Sequence, residues 1–309
     1  MSRRYLCGAL VGVLATAGAL TAAASAAPAS SQVQAKPSMM RIFNGKPSKP
    51  ARPNRTNNLA YQGGVGGIGV ETAPKIYLVL WGSQWSSDPS GESAILQNFF
   101  NRVGGSSWLN SVTQYCQGVA AGTITCGSSG QHAGNPTGIY ATSWADNTSA
   151  APSSPTQSQL AAEAVKAAQH FGNTTSTTNS TVQYVVATAH NNNASGFGTQ
   201  YCAWHSSTSS SYGNIAYTNL PYITDAGASC GANFNNLGPN AGITIVEGHE
   251  MAETITDQFP NGGWLDRQGA ENGDKCAWSA ATSSQQMGGS SFPVQPLWSN
   301  ASSSCVLSY

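Results

Sequence analysis

The run Lys75 to Trp81 (Lys-Ile-Tyr-Leu-Val-Leu-Trp) is nearly continuous in β-branched and aromatic residues, which predicts a central strand buried on both faces. Apolar positions then recur at Ile95, Leu96, Phe99, Phe100 and Val103, the spacing of one helical face, so a helix is expected over 90–103 with Ser90 as cap and Gly104 as stop. The alternation repeats. Gly138 to Trp144 reads as a strand, Gln157 to His170 as an Ala-rich helix, and Val182 to Ala189 as a second hydrophobic strand. After a Gly/Asn/Ser-rich loop at 191–200 come Tyr201 to His205, a Ser tract, and Asn214 to Tyr222, whose alternation suggests an edge strand able to pair with an extended peptide. Gly242 to Gln258 predicts the next helix. Beyond Pro260-Asn261-Gly262-Gly263 the pattern breaks into short strands and turns, including Phe292 to Trp298 and Cys305 to Leu307. Strand and helix alternate, with neither a repeat nor a second boundary, so one α/β domain over 59–309 is expected.

Upstream, Arg3 and Arg4 precede an apolar stretch from Leu10 to Leu20 and a small-residue cleavage site at Ala24-Ser25-Ala26, so residues 1–26 read as a secretory signal peptide. Residues 27–58 are rich in Ala, Pro, Ser and basic groups without a sustained period. They are expected to form a disordered basic tether or a pro-segment outside the fold. The product is expected to be extracellular, with no membrane insertion, because no later stretch reaches the roughly 18 apolar residues of a span.

Composition narrows the classes. Only 8% of the 309 residues are charged, and Lys36, Arg41, Lys46, Lys49, Arg52 and Arg55 all precede the first acid, Glu71. The folded part is therefore acidic, which argues against nucleic-acid binding. Removal of Cys7 with the signal leaves six of the seven cysteines. An even number in an oxidising compartment predicts disulfides, and the shortest loops pair Cys116 with Cys126, Cys202 with Cys230, and Cys276 with Cys305 among fifteen connectivities.

Seven of the thirteen acids fall between 247 and 274: Glu247, Glu250, Glu253, Asp257, Asp266, Glu271 and Asp274. At their centre stands Gly248-His249-Glu250-Met251-Ala252-Glu253. His249 and Glu253 are four apart and share a helical face, able to grip one cation, with Glu250 placed beside them to carry a proton. This is the HExxH metallopeptidase arrangement with a carboxylate as second ligand. Asp257 lies eight positions past His249, about 12 Å along a helix, and is too distant to join them. Glu271 is expected as third ligand from a separate element, with Asp274 as the alternative. His249 favours one Zn2+ per chain, while all-oxygen ligation would favour Ca2+. His205 is expected to assist a developing oxyanion.

Blander readings accompany each motif. The helix could be a capped amphipathic one whose Glu residues are solvated and whose His249 is simply hydrogen-bonded. His190 at a strand end, His132 and His170 read as structural. Gly227-Ala228-Ser229-Cys230-Gly231 matches the nucleophile-elbow pattern but lacks the buried strand before it and the helix after it. Trp81, Trp85, Trp204, Trp264, Trp278 and Trp298 suit a core as well as a sugar platform.

Ile76 to Trp81, Cys202 to Ser206, Glu253-Thr254-Ile255-Thr256-Asp257 and Gln295-Pro296-Leu297-Trp298-Ser299-Asn300 together resemble secreted phosphate-induced, exordium-like proteins and their bacterial relatives, over most of 74–308. The resemblance implies an extracellular protein with cell-wall association and no settled chemistry. Several members carry small or apolar residues at the positions of His249, Glu250 and Glu253, so the metal chemistry rests on the residues alone. Together these readings give an α/β (α+β) single zincin-like layered domain with a mixed sheet, an active-site helix and disulfide-stapled C-terminal strands and turns. Its expected role is zinc-dependent hydrolysis of a peptide or protein substrate by Glu250 and His205 over a metal on His249, Glu253 and Glu271. The alternative is a non-catalytic extracellular or wall-associated binding protein.

Overall fold

A six-stranded mixed sheet organises the chain. The structure, a computed structural model, describes residues 1, 33–48 and 57–309. The expected apolar signal run and its cleavage site lie outside the described residues. The sheet strands are β1 (Ser38–Arg41), β2 (Lys75–Trp81), β3 (Tyr140–Asp146), β4 (Val182–Thr188), β5 (Tyr201–Ser210) and β6 (Gly213–Leu220). Their spatial order is β1-β5-β6-β4-β2-β3. β3, β2, β4 and β6 run parallel, whereas β5 is antiparallel to β6 and β1 is antiparallel to β5.

Among the described residues, three α-helices cover the sheet: α1 (Glu92–Val103), α2 (Gln157–His170) and α3 (Ala241–Thr256). Strand alternation sorts the side chains between two layers. Val79, Trp81, Tyr184, Val186 and Trp204 pack with Leu160, Ala161 and Ala164 of α2. Ile76, Leu78, Val185, Ala187 and Ala203 join the core that contains α1 and α3. β4 is buried along its whole length, its polar Gln183 and Thr188 included, as befits a strand covered on both faces. All three shortest-loop disulfides form: Cys116–Cys126, Cys202–Cys230 and Cys276–Cys305. The last ties the turn after Gly273 to a C-terminal hairpin, β7 (Leu297–Ser299) against β8 (Ser304–Val306).

Three expectations are corrected. The segment Asn214 to Tyr222 is not an edge. Its strand β6 lies between β4 and β5, because the Ser tract continues β5 through Ser210 and turns back at Gly213 to pair along β6. Nor is all of 27–58 outside the fold. Gln34 bridges Thr208, β1 forms the sheet's outer strand on β5, and Met40 is fully buried in the core. Finally, Ser90 does not cap α1. The carboxylate of Asp88 accepts the N–H groups of Glu92 (2.8 Å) and Ser93 (3.1 Å), a charge-assisted cap at the positive helix end. Among the described residues, no helix is long and apolar enough to cross a membrane.

Candidate metal centre

Every residue of α3 is buried, including Glu247, His249, Glu250 and Glu253. An ionisable side chain in such a place needs a partner or a changed proton affinity. Gly248 makes the burial feasible, since a Cβ there would stand 3.2 Å from Trp108, which closes the opposite side of the helix.

His249 Nε2 lies 3.1 Å from Glu253 Oε1, as the four-residue spacing requires, and 3.8 Å from Asp274 Oδ1. The expected third ligand, Glu271, is elsewhere. Its Oε2 stands 3.1 Å from His205 Nε2, which is also 3.6 Å from Glu253 Oε2. The structure thus brings together two triads, His249–Glu253–Asp274 and His205–Glu253–Glu271, with Glu253 common to both. Asp274, the alternative ligand in the sequence, stands in the triad of His249, and Glu271 stands in that of His205. The helix after Thr256 ends in a turn that returns residues 271–274 to α3. Asn272 fixes it there by donating to the Thr256 hydroxyl (2.9 Å) and the Ala252 carbonyl (3.2 Å). Gly273 must be glycine, because a Cβ would sit 2.8 Å from His249 Nδ1 and 2.9 Å from Glu253 Oε1.

The tautomer of His249 follows from a residue the sequence reading did not place in the site. Gln295 Nε2 donates to the Gly273 carbonyl (2.8 Å), so its Oε1 faces His249 Nδ1 at 3.3 Å and can only accept a proton there. Nε2 is left as a lone pair directed at two carboxylate oxygens. Burial holds His249 down at about 4, so the ring is neutral. A lone pair facing two carboxyl groups calls for a proton or a cation between them, and burial, which raises Glu253 well above the usual carboxylate range, lets that residue supply the proton. Two donors on a tetrahedral zinc, each at about 2.0–2.1 Å, stand roughly 3.3 Å apart, near the His249–Glu253 separation of 3.1 Å and shorter than the 3.8 Å to Asp274. His249 Nε2, Glu253 Oε2, Glu250 Oε2 and Glu271 Oε1 are all buried without a hydrogen-bond partner among the described residues. One imidazole nitrogen with carboxyl oxygens is a donor set that could hold a metal ion.

The second triad is different in charge. Burial opposes protonation of His205, but the Glu271 carboxylate facing it pushes the imidazole up to about 9. Burial likewise works against the charged form of Glu271, yet His205 and the Ser38 hydroxyl hold its carboxyl below the ordinary range. His205 and Glu271 are therefore a buried ion pair beside the His249 cluster. Burial raises Glu253 well above the usual carboxylate range, with Asp274 and Glu271 adding repulsion. It also raises Glu250 to about 8. Glu250 Oε1 accepts the Met40 N–H at 3.3 Å. Asp274 is the member that reaches water, with 26% of its side chain exposed.

Asp257 is excluded, as its distance along the helix implied. It accepts N–H groups of Asn261 (2.7 Å), Gly262 (3.0 Å) and Gly263 and so builds the turn after α3. Ser229 sits in an irregular 3-10 segment next to the bridged Cys230, not on a strand-to-helix elbow. His132 is an exposed residue bonded to the Thr113 carbonyl, and His170 stacks on Trp144. His190 pairs with Asp225 at the end of β4. A cavity of about 210 Å³ lies at the edge of the centre, bounded by Lys36, Ser38, Asp257, Gln268 and Glu271. A larger one of about 470 Å³ near Ile68, Asn214 and Phe259 has no titratable lining.

No protein-family model, curated protein or solved structure matches the chain.

Proposed function

We propose that this chain is an exported zinc-dependent hydrolase of zincin type, acting on peptide bonds. The observation that carries the reading is the imidazole of His249, fixed by Gln295 with its Nε2 lone pair aimed at Glu253 and Asp274. His249, Glu253 and Asp274 would hold the ion. When bound, it supplies Lewis acidity for a scissile carbonyl and for an attacking water. Glu250, next to His249 on the helix but outside the triad, would in its carboxylate form accept a proton from the water and return it to the leaving amine. The charged His205 sets a positive group near the developing oxyanion, oriented by Glu271.

Direct tests are metal content and a single substitution. The protein purified without chelators should contain about one zinc per chain. Glu250→Gln should keep that zinc and lose at least about 10²-fold in peptide hydrolysis. No zinc uptake, or a variant as active as the parent, refutes the reading. The second reading, a non-catalytic extracellular or cell-wall-associated protein of the exordium-like type, is favoured by the closure of the site, since His205, His249, Glu250, Glu253 and Glu271 have no exposed surface.

A further inference from the structure

We propose that residues 33–48 are a self-inhibitory strap lying along the substrate-binding edge of β5, and that the segment Lys36 to Arg41 imitates the extended polypeptide this edge accepts. The inference rests on the hydrolase reading and deepens it.

The strap pairs antiparallel with β5, with Ser38 opposite His205, Met39 opposite Trp204 and Met40 opposite Ala203. Main-chain pairing to a sheet edge is how extended peptides are bound with little regard to sequence. Without the strap, β5 would present that edge immediately beside His205. Two groups of the strap also engage carboxylates the chemistry uses: the Ser38 hydroxyl donates to Glu271, and the Met40 N–H donates to Glu250. A proton carrier engaged in this way is turned from its task, and no substrate passes the strand that covers it.

The strap is built to leave. Of its sixteen residues only Met40 is buried, while Phe43 is half-buried against Phe234 and Trp278. Few fully buried apolar anchors mark the weakly held end of a structure. Lys36, Arg41 and Lys46 are its only charged residues, and Lys36 lines the cavity that Asp257 and Glu271 also border. The cavity between Lys36, Ser38 and Glu271 continues the groove past the strap. Read as an imitation, the segment specifies the ligand: an extended polypeptide with a small residue opposite His205, an apolar residue two positions later, and basic flanks.

The test uses the full-length protein with Met40→Asp, which sets a charge where the strap's one buried side chain lies. Hydrogen exchange should be faster at 33–48 with the remainder still protected. A fluorescent peptide of residues 34–44 should bind this variant, with or without zinc, at least tenfold more tightly than the parent. Transfer of zinc to a coloured chelator should speed up at least tenfold, and hydrolysis of peptides with the small-x-apolar pattern should rise similarly. If Met40→Asp loses protection throughout, Phe43→Ser, which removes the half-buried anchor, replaces it with the same readouts. A strap released by hydrogen exchange, with peptide affinity and zinc transfer unchanged, overturns the proposal. Tight peptide binding and fast zinc transfer without hydrolysis of any peptide would uphold the strap and sink the peptidase reading.

Discussion

Gln295 determines the proton position on His249: its amide oxygen lies 3.3 Å from Nδ1, and the Gly273 carbonyl prevents the amide from turning round. A residue that orients a metal ligand in this way typically contributes 10- to 100-fold in affinity. Gln295→Leu is expected to weaken zinc binding by about that factor while leaving the far-ultraviolet circular dichroism unchanged. Equal affinity in competitive titration against a chelator would show that the tautomer does not matter.

The two triads predict opposite behaviour for two carboxylates. Asp274→Asn should reduce bound zinc from about one per chain to about a tenth of that, whereas Glu271→Gln should retain most of it, because Glu271 pairs with His205. The reverse pattern in elemental analysis would move the ion to His205, Glu253 and Glu271.

Acid-side stability is also expected. Glu92 in α1 and Glu71 are buried, which pushes both carboxyls from 4.5 up to about 8. They bind a proton more tightly folded than unfolded, so this stabilisation is complete below about 4.5 and is lost as pH rises through about 8. Thermal unfolding of the metal-free protein should occur several degrees higher at about pH 5.5 than at about pH 8.5. Glu92→Gln keeps an acceptor for the Ile223 N–H, 2.8 Å away, and should reduce that slope. An unchanged slope would assign the dependence to other groups.

The Cys276–Cys305 bridge encloses a separation of 29 residues and begins two positions after Asp274. On the chain-entropy model such a loop contributes about 3–4 kcal/mol. Replacing both cysteines by serine should lower the denaturation midpoint accordingly and weaken zinc binding more than removal of Cys116–Cys126 does. Equal effects on the metal would separate the bridge from the site.

Much of this was legible in the sequence. Strands at 75–81 and 182–188, the helix at 157–170 and the His249/Glu253 face follow from local periodicity, and the three bridges follow from loop length. What stayed hidden is long-range pairing. Nothing local in Ser38–Arg41 distinguishes a short edge strand from a polar tether, since its stability comes from β5 rather than from its own pattern. The same holds for β6, whose alternation describes a strand but not which neighbours flank it. Gln295 was visible only within a family-like stretch, because an uncharged amide that orients a ligand has no spacing signature. That Asp274 faces His249 while Glu271 faces His205 follows only from the turn that Asn272 fixes.

The strap joins partners far apart in the chain: Ser38 meets Glu271 across 233 residues and Met40 meets Glu250 across 210. Its partners lie on β5, on α3 and in the turn after α3, so its contacts are available only once those elements have come together, and the strap docks late. During biogenesis the polypeptide therefore passes through an open stage in which His249, Glu253 and Asp274 are assembled but uncovered. On the hydrolase reading, that interval is when an ion would enter most readily. Once closed, a molecule that missed its ion is kinetically slow to acquire one, and zinc supplied during refolding should be incorporated far faster than zinc added afterwards.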